Sequence, residues 1–485
     1  MLTTLLIVVP LAGALLVWVL PLQRESTAWL ALLAALAEVG LWLGSIRNFE
    51  FGSDAQQYSA SREWFDQLGI SYAVGLYGFQ YWLVGLTVVV GACAIGYGAW
   101  AERDRARAYF GLMLFLVGAL VGVFAAQDLI LFYVFFEAML IPIYVLVGVW
   151  GGPRRIEATV TFVIYTMAGS LLMLAAIVAF GISQGTFLLA DIGTSSNDWV
   201  FLGFLVAFAV KAPLLPFHGW LRAAYTEAPP EVAAILSGVV SKAAVFGLVW
   251  IVLPHFPGPV DDFRDLVLVL AAATLVYGSL LAFRQPDARG VIAYSSMAQM
   301  GLIVLGIFAS NDLGLDGAVL HSVNHGVVSA ALFLVCGMIE ARTGTGEFTK
   351  LGGMAKGRPF LATMVMAFGM FTLAVPGSTN FAGEFSILAG VFGRGWGYAA
   401  VGAAATVLAA LYALRFISAI LHERRGGSVR EDAGDLVSGE LTLVVPLLAI
   451  LAVLSAWPAS ISERSFPADQ PAAFLGAQGG QGTGP

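Results

Sequence analysis

Charge is scarce in this 485-residue chain: 11% of its residues are Asp, Glu, Lys or Arg, 59% are hydrophobic, and the mean hydropathy is +0.86. Soluble globular domains carry about a quarter charged residues, so a soluble fold is excluded and an all-α polytopic membrane protein is expected. Cysteine is nearly absent. Cys93 and Cys336 lie far apart inside apolar runs, which excludes a disulfide framework, a CxxC motif and a cysteine metal site. The first apolar run, Leu2 to Leu20, lacks the basic leader and small-residue cleavage site of a signal peptide and reads as a retained helix. The formal charge of −7 says little about partners, because most charges are confined to loops. Nothing suggests a second, soluble domain or a nucleic-acid partner; the lipid bilayer is the expected surroundings.

Lysine is scarcer still. Of 24 basic residues only Lys211, Lys242, Lys350 and Lys356 are lysines, and the first two lie inside segments greasy enough to cross a bilayer. A charge at the centre of a spanning helix costs about 2.5 to 3.5 kcal/mol on insertion scales. Buried lysine also gives up its proton far more readily than arginine. In a chain with 20 arginines, lysine at these two depths favours proton carriers over fixed charges.

Runs of about 18 to 25 apolar residues predict fourteen spans: 2–20, 27–45, 78–100, 108–126, 129–150, 158–182, 199–217, 231–253, 266–283, 290–308, 315–339, 359–393 with a break, 397–421 and 441–459. With residue 1 outside, 16 basic residues fall in inward loops, 5 in outward loops, and Lys211, Lys242 and Arg415 within the membrane. That asymmetry obeys the positive-inside rule and supports both the helix count and termini on the outer side of the membrane. Residues 46–75 read as an outward polar loop, and the tail from Pro467 as Gly/Gln-rich disorder.

Two spans look broken. The seventh carries Pro213 and Pro216 after Lys211, and the twelfth carries Pro376 and Gly377 before Ser378, Thr379 and Asn380. Irregular backbone at membrane depth survives only where protein or trapped water satisfies its freed groups. Both breaks fall on the fourth member of a five-helix set, so spans 4–8 and 9–13 are expected to form two inverted repeats with polar sites near the breaks. The implied units are 1–107, 108–253, 266–421 and 441–485.

Ionisable groups within spans mark ion pathways or their partners. Glu137, in the fifth span, pairs most naturally with Lys211; a protonated glutamate packed against a neighbour, or a static salt bridge, is the plainer alternative. Lys242 has no acid within reach on its own helix, since Glu231 is eleven residues away. Glu384 is the remaining deep acid. His321 and His325 lie one turn apart, and neutral imidazole can relay protons through its two nitrogens; no third ligand makes them a metal site. His218, Tyr165, Ser241, Ser296 and Gln299 are candidates for orienting water. Arg415 reads as a snorkelling arginine.

The segments FYVFFEAMLIPIYVLVGVWGG, AFAVKAPLLPFHGWL, TEAPPEVAAILSGVVSKAAVFGL, VIAYSSMAQMG, NHGVVSAALFL and VPGSTNFAGEF resemble the signature segments of the antiporter-like subunits of respiratory complex I, over about residues 60 to 425. The resemblance implies a fourteen-helix core with broken helices 7 and 12. It makes Glu137 and Lys211 a coupled pair, Lys242 a central relay lysine, His325 a bridge and Glu384 the terminal acid. Glutamate at position 384 is similar to the M-type branch; L- and N-type chains and multisubunit cation/proton antiporters have lysine there. It implies proton translocation driven by quinone reduction, with FMN, iron–sulfur clusters and quinone in partner subunits, none in this chain, and L- and N-type chains as neighbours. Gln299 stands where the family usually has histidine, so that step must use an amide-bound water or bypass the position. The basic pair reads Arg289-Gly290, and the outer loop Gly75-Leu76-Tyr77-Gly78 lacks the family's acid. A cation/proton antiporter or hydrogenase-type subunit is the alternative with the same chemistry; a passive membrane scaffold is the alternative of another class.

Overall fold

A computed structural model describes residues 1–467, so the Gly/Gln-rich tail lies outside the described residues. Twelve helices among those residues are long and apolar enough to cross a membrane. Pro230–His255 and Asp312–Thr343, the eighth and eleventh spans, are buried along their whole apolar windows, whereas Arg24–Asn48 and Ser438–Ala456 are mostly open. The chain therefore places at its centre the two spans that carry Lys242 and His325. At the expected prolines of the predicted seventh and twelfth spans the chain forms shorter helices on either side of a break.

In the seventh span, Asp198–Lys211 stops at the break, a 3-10 turn Phe217–Trp220 follows, and Leu221–Glu227 resumes. The expected end at residue 217 is thus short by a helix of two turns, and Arg222 sits on that helix rather than in a loop. The freed backbone finds side-chain partners. Leu215 N donates to Thr274 Oγ1 at 3.0 Å, and Trp220 Nε1 donates to the Val210 carbonyl at 3.0 Å. In the twelfth span, Pro359–Thr372 and Thr379–Phe392 flank the break. Asn324 Nδ2 donates to the Thr379 carbonyl at 2.9 Å, and Thr379 N donates to Ser455 Oγ at 2.9 Å. Both breaks are thus capped from neighbouring spans, as a low-dielectric surrounding demands.

The stretch 46–75 is more ordered than a polar loop. Strands β1 (Gln57–Phe65) and β2 (Ile70–Leu76) form an antiparallel hairpin turning near Gly69. Asp128 holds it down: its Oδ2 accepts from Ser71 N at 3.0 Å while its Oδ1 caps the fifth span through Ile130 N and Leu131 N. Small residues, Ser71, Ala73 and Gly75, alternate there with Tyr72, Val74 and Leu76, a strand pattern passed over in a stretch selected only for polarity. The ninth span also starts earlier than expected, at Pro257, so Arg264 lies in a helix.

At the opposite, arginine-rich end, ion pairs tie helix ends together. Arg103 reaches Glu231 at 2.7 Å, Arg222 reaches Asp287 at 2.9 Å, Arg342 reaches Glu440 at 2.6 Å, and Arg289 contacts Glu340. Glu231 thus serves Arg103 and Tyr109 rather than Lys242. Arg415 donates to the Phe283 and Gln285 carbonyls at the end of the ninth span, a cap in place of a snorkel. Glu440 is fully buried, and its two oxygens take both Arg342 nitrogens and the Val437 N–H. Breaking such a pair from one side strands the other charge and costs about 3 to 5 kcal/mol. Arg342→Ala is therefore expected to lower the thermal midpoint and membrane level of the assembled protein sharply, and Arg342→Ala/Glu440→Gln to recover part of the loss; an unchanged midpoint in the single variant would contradict this.

Candidate functional site

Helices eight and eleven cross in backbone contact. A side chain added at Gly238 would meet the Gly326 carbonyl at 2.9 Å, and one at Gly326 would meet the Gly238 carbonyl at 2.6 Å. Small residues permit such close approach in membranes. The crossing sets Lys242 against His325, whose Nδ1 lies 2.8 Å from Lys242 Nζ.

Lys242 sits between two π-helical turns, Leu236–Val240 and Leu248–Val252. Wide turns of this kind loosen the regular i to i−4 ladder and recur at functional sites. Here the Ser237 carbonyl accepts from Lys242 Nζ and from Ser241 Oγ, each at 2.9 Å, and Ser241 Oγ lies 3.3 Å from Nζ. The fully buried lysine is thus bound by neutral groups only: a carbonyl, a hydroxyl and an imidazole. Three serines lie beside it, Ser237 Oγ being 2.8 Å from Ser296 Oγ and 2.5 Å from Ser329 Oγ.

From His325 the polar line continues along the eleventh helix. The rings of His325 and His321 face each other with centroids 6.4 Å apart. His321 Nε2 lies 2.7 Å from Gln299 Oε1, and Gln299 Nε2 donates to Glu384 Oε1 at 3.2 Å. Glu384 reaches this place because the half-helix after the second break runs against the eleventh helix at Gly383, where a side chain would meet His321 Cβ at 2.9 Å. Lys242, Ser241, His325, His321, Gln299 and Glu384 therefore form one buried array, and among the described residues no group of three His, Cys, Asp or Glu is placed to hold a metal.

The expected Glu137–Lys211 pair is not closed. Lys211 Nζ, buried at the end of its half-helix, has no hydrogen-bond partner among the described residues, and neither has Glu137 Oε1. The ammonium lies instead over the rings of Phe136, 4.9 Å from the centroid, and Phe162, 5.8 Å away. Aromatic faces attract a desolvated cation by about 2 kcal/mol or more, and in this arrangement the rings, not the carboxylate next to Phe136 in sequence, are the partners of Lys211. His218 and Tyr165 lie at the break, away from the Lys242 array: the His218 ring packs edge-on against Tyr277 at 5.5 Å, and Tyr165 Oη fills the space a Gly219 side chain would take.

Several buried polar groups escaped the sequence reading. Ser329 follows His325 by four residues, a same-face spacing that was legible. Tyr412, on the thirteenth span, had no such signal, and its buried hydroxyl lacks a hydrogen-bond partner among the described residues. Glu38 is fully buried in the second span with both oxygens unpartnered among the described residues.

Residues 126–410 match the family described as NADH:quinone oxidoreductase/Mrp antiporter, TM. The NADH-quinone oxidoreductase subunit M of Rhodobacter capsulatus is 33% identical over 92% of this chain and 90% of its own, and that of Mycobacterium tuberculosis is 34% identical over 95% and 92%. The NADH-ubiquinone oxidoreductase chain 4 of Mycosarcoma maydis is 36% identical over 94% and 96%. A chain of respiratory complex I from Thermus thermophilus superposes over the full length of both with a TM-score of 0.88 at 29% identity. A chain of the Mrp complex from Dietzia, at 22% identity and a TM-score of 0.86 over 98% and 97%, shares the fold. With matches running through both breaks and every buried ionisable residue of the array, the chain belongs to the NADH:quinone oxidoreductase/Mrp antiporter family of membrane subunits, in its subunit M branch.

Proposed function

We propose that the chain translocates protons as a membrane-arm subunit of an NADH-quinone oxidoreductase, drawing its energy from quinone reduction in partner subunits. The observation that carries this reading is the contact of Lys242 Nζ with His325 Nδ1 at 2.8 Å, inside a site where neither side chain is bonded to a carboxylate. A structural cation would be neutralised by a buried acid, as Arg342 is by Glu440 and Arg103 by Glu231. A lysine bonded to an imidazole has instead a base to which its proton can pass.

The roles follow from position. Lys211 alternates between the aromatic seat it occupies and Glu137; closing that pair stabilises its charge, and opening it makes its proton available to Lys242. Lys242 passes a proton to His325, and Glu384, at the far end of the array, receives it. Ser241 orients Lys242, while His321 and Gln299 line the last stretch. His218 and Tyr165 border the break through which Lys211 is reached. Moving one charge against the membrane potential requires about 2.3 kcal/mol per 100 mV, and nothing in this chain supplies it. Electron-carrying groups, FMN and iron–sulfur clusters among them, belong in the partner subunits, with L- and N-type chains packed along the membrane arm. The units of spans 4–8 and 9–13 act as inverted repeats in a fourteen-span chain, with both termini on the outer side of a bacterial inner membrane.

Lys242→Ala in the assembled complex is expected to lower the protons pumped per electron and slow quinone reduction; normal values for both, with assembly intact, would leave a scaffold. Proton uptake is expected to proceed without sodium, and a sodium-dependent flux would favour the cation/proton antiporter alternative. A double-mutant cycle on Glu137 and Lys211 is expected to give a coupling below about 1 kcal/mol in the resting protein, rising when Phe136→Leu removes the aromatic seat; a large coupling with Phe136 intact would show the pair closed at rest.

A further inference from the structure

Away from the lysine array, at the arginine-rich end, a cavity of ≈ 710 Å³ lies between the end of the first span and the starts of the second and fourth. That volume falls within the range of about 300 to 1,000 Å³ of small-molecule sites. Its walls carry charge of one sign. Arg24, Arg105 and Arg107 line it, and no carboxylate among the described residues does. Arg24 is held by Glu102 at 2.6 Å. Arg105 is only loosely paired, with Asp104 3.9 Å away and the other Asp104 oxygen accepting from Trp150 Nε1 at 2.7 Å. Arg107 is exposed and has neither a hydrogen bond nor an ion pair among the described residues. Elsewhere at this end Arg103, Arg222, Arg289 and Arg342 each meet a carboxylate, so two guanidinium groups left with free donors on one cavity wall are a departure from the pattern.

The backbone adds to the same sign. The fourth span begins at Ala106 without a side-chain cap from Arg105, and its first three residues line the cavity. The first N–H groups of a helix have no partner within it and attract anions. The remaining walls are apolar: Trp18, Leu22 and Leu112. Trp18 lies across the fourth span at Gly111, where any side chain would collide with its indole, and its ring is 6.3 Å from that of Phe115. Leu15, Leu16 and Val19 of the first span are exposed, so apolar surface continues from the cavity along that span. Tryptophan and arginine both favour the headgroup level of a bilayer, and arginine matches phosphate oxygens two at a time.

We propose that this cavity binds the phosphate headgroup of an anionic glycerophospholipid, with Arg105, Arg107 and the start of the fourth span on the phosphate, and Trp18, Leu22 and Leu112 against the glycerol and the first acyl carbons. The joining of a cationic wall to apolar walls that run on along the first span selects a lipid over a soluble anion. A lipid so placed ties the first two spans to the fourth, the leading member of the first five-helix set. The site is independent of the transport reading.

The test uses the intact complex in nanodiscs of phosphatidylcholine doped with a phosphatidylglycerol that carries a photoactivatable diazirine near the top of one acyl chain, with cross-linked peptides mapped by mass spectrometry. The expected result is an adduct within residues 15–22 or 105–112 that unlabelled phosphatidylglycerol competes away. In Arg105→Gln/Arg107→Gln, the probe fraction giving half-maximal adduct is expected to rise about thirtyfold, the loss of two arginines beside an anionic headgroup. Both side chains are exposed, so the variant is expected to assemble. Asp104→Asn keeps an acceptor for Trp150 while freeing Arg105, and is expected to tighten binding, a gain that a merely structural role would not give. Equal labelling of these segments by a phosphatidylcholine probe would overturn the proposal, leaving ordinary boundary lipid. Displacement of the probe by inorganic phosphate at constant ionic strength would overturn it in favour of a soluble anion, and a cross-link from these segments to another subunit in place of lipid would overturn it in favour of a protein partner.

Discussion

Everything in this molecule answers to one constraint: two lysines lie in a low-dielectric interior, and neither is bonded to an acid. Lys242 keeps a carbonyl, a hydroxyl and an imidazole around its ammonium, and Lys211 keeps two aromatic faces. The contrast with the arginines is chemical. Arg103, Arg222, Arg342 and Arg289 each find a carboxylate near the ends of the helices, where a permanent charge locks elements together. At these positions arginine stands where a carboxylate meets it, and lysine, the side chain that gives up its proton more readily when buried, stands where none does.

The helical framework follows from placing those lysines. Lys211 ends a half-helix because the prolines after it open the backbone, and Thr274 and Trp220 satisfy the groups the break frees. Lys242 meets His325 because two glycines let the eighth and eleventh helices touch, and wide turns before and after it leave the Ser237 carbonyl free to accept. Glu384 arrives beside Gln299 because the second break redirects the twelfth span and Gly383 admits it to the eleventh. Sites of this kind need irregular backbone, and irregular backbone at membrane depth needs partners on other spans. Asn324 and Ser455 supply them at the second break from the eleventh and last helices.

Much of this was legible in the residues. Apolar run length located the continuous spans, and proline after a deep lysine or before a deep glutamate located both breaks, because those signals lie within single segments. Partnership between segments was less legible. The Lys211–Glu137 pair was expected from charge, yet the rings of Phe136 and Phe162 take the ammonium instead. The hairpin at 57–76 hid within a stretch chosen for its polarity, and its anchor Asp128 carries no periodic signal.

The central claim is that the two buried lysines exchange protons during turnover. Four lysines in the whole chain make it measurable. With this subunit alone labelled by nitrogen-15 at lysine Nζ and returned to the complex, magnetic resonance separates the ammonium from the neutral amine. Lys350 and Lys356 provide the loop reference, and Lys211→Arg and Lys242→Arg provide assignment. The account predicts that under turnover the Lys211 and Lys242 signals each pass between the two forms while the loop lysines stay charged. Two buried signals that remain in one protonation state throughout turnover would contradict it.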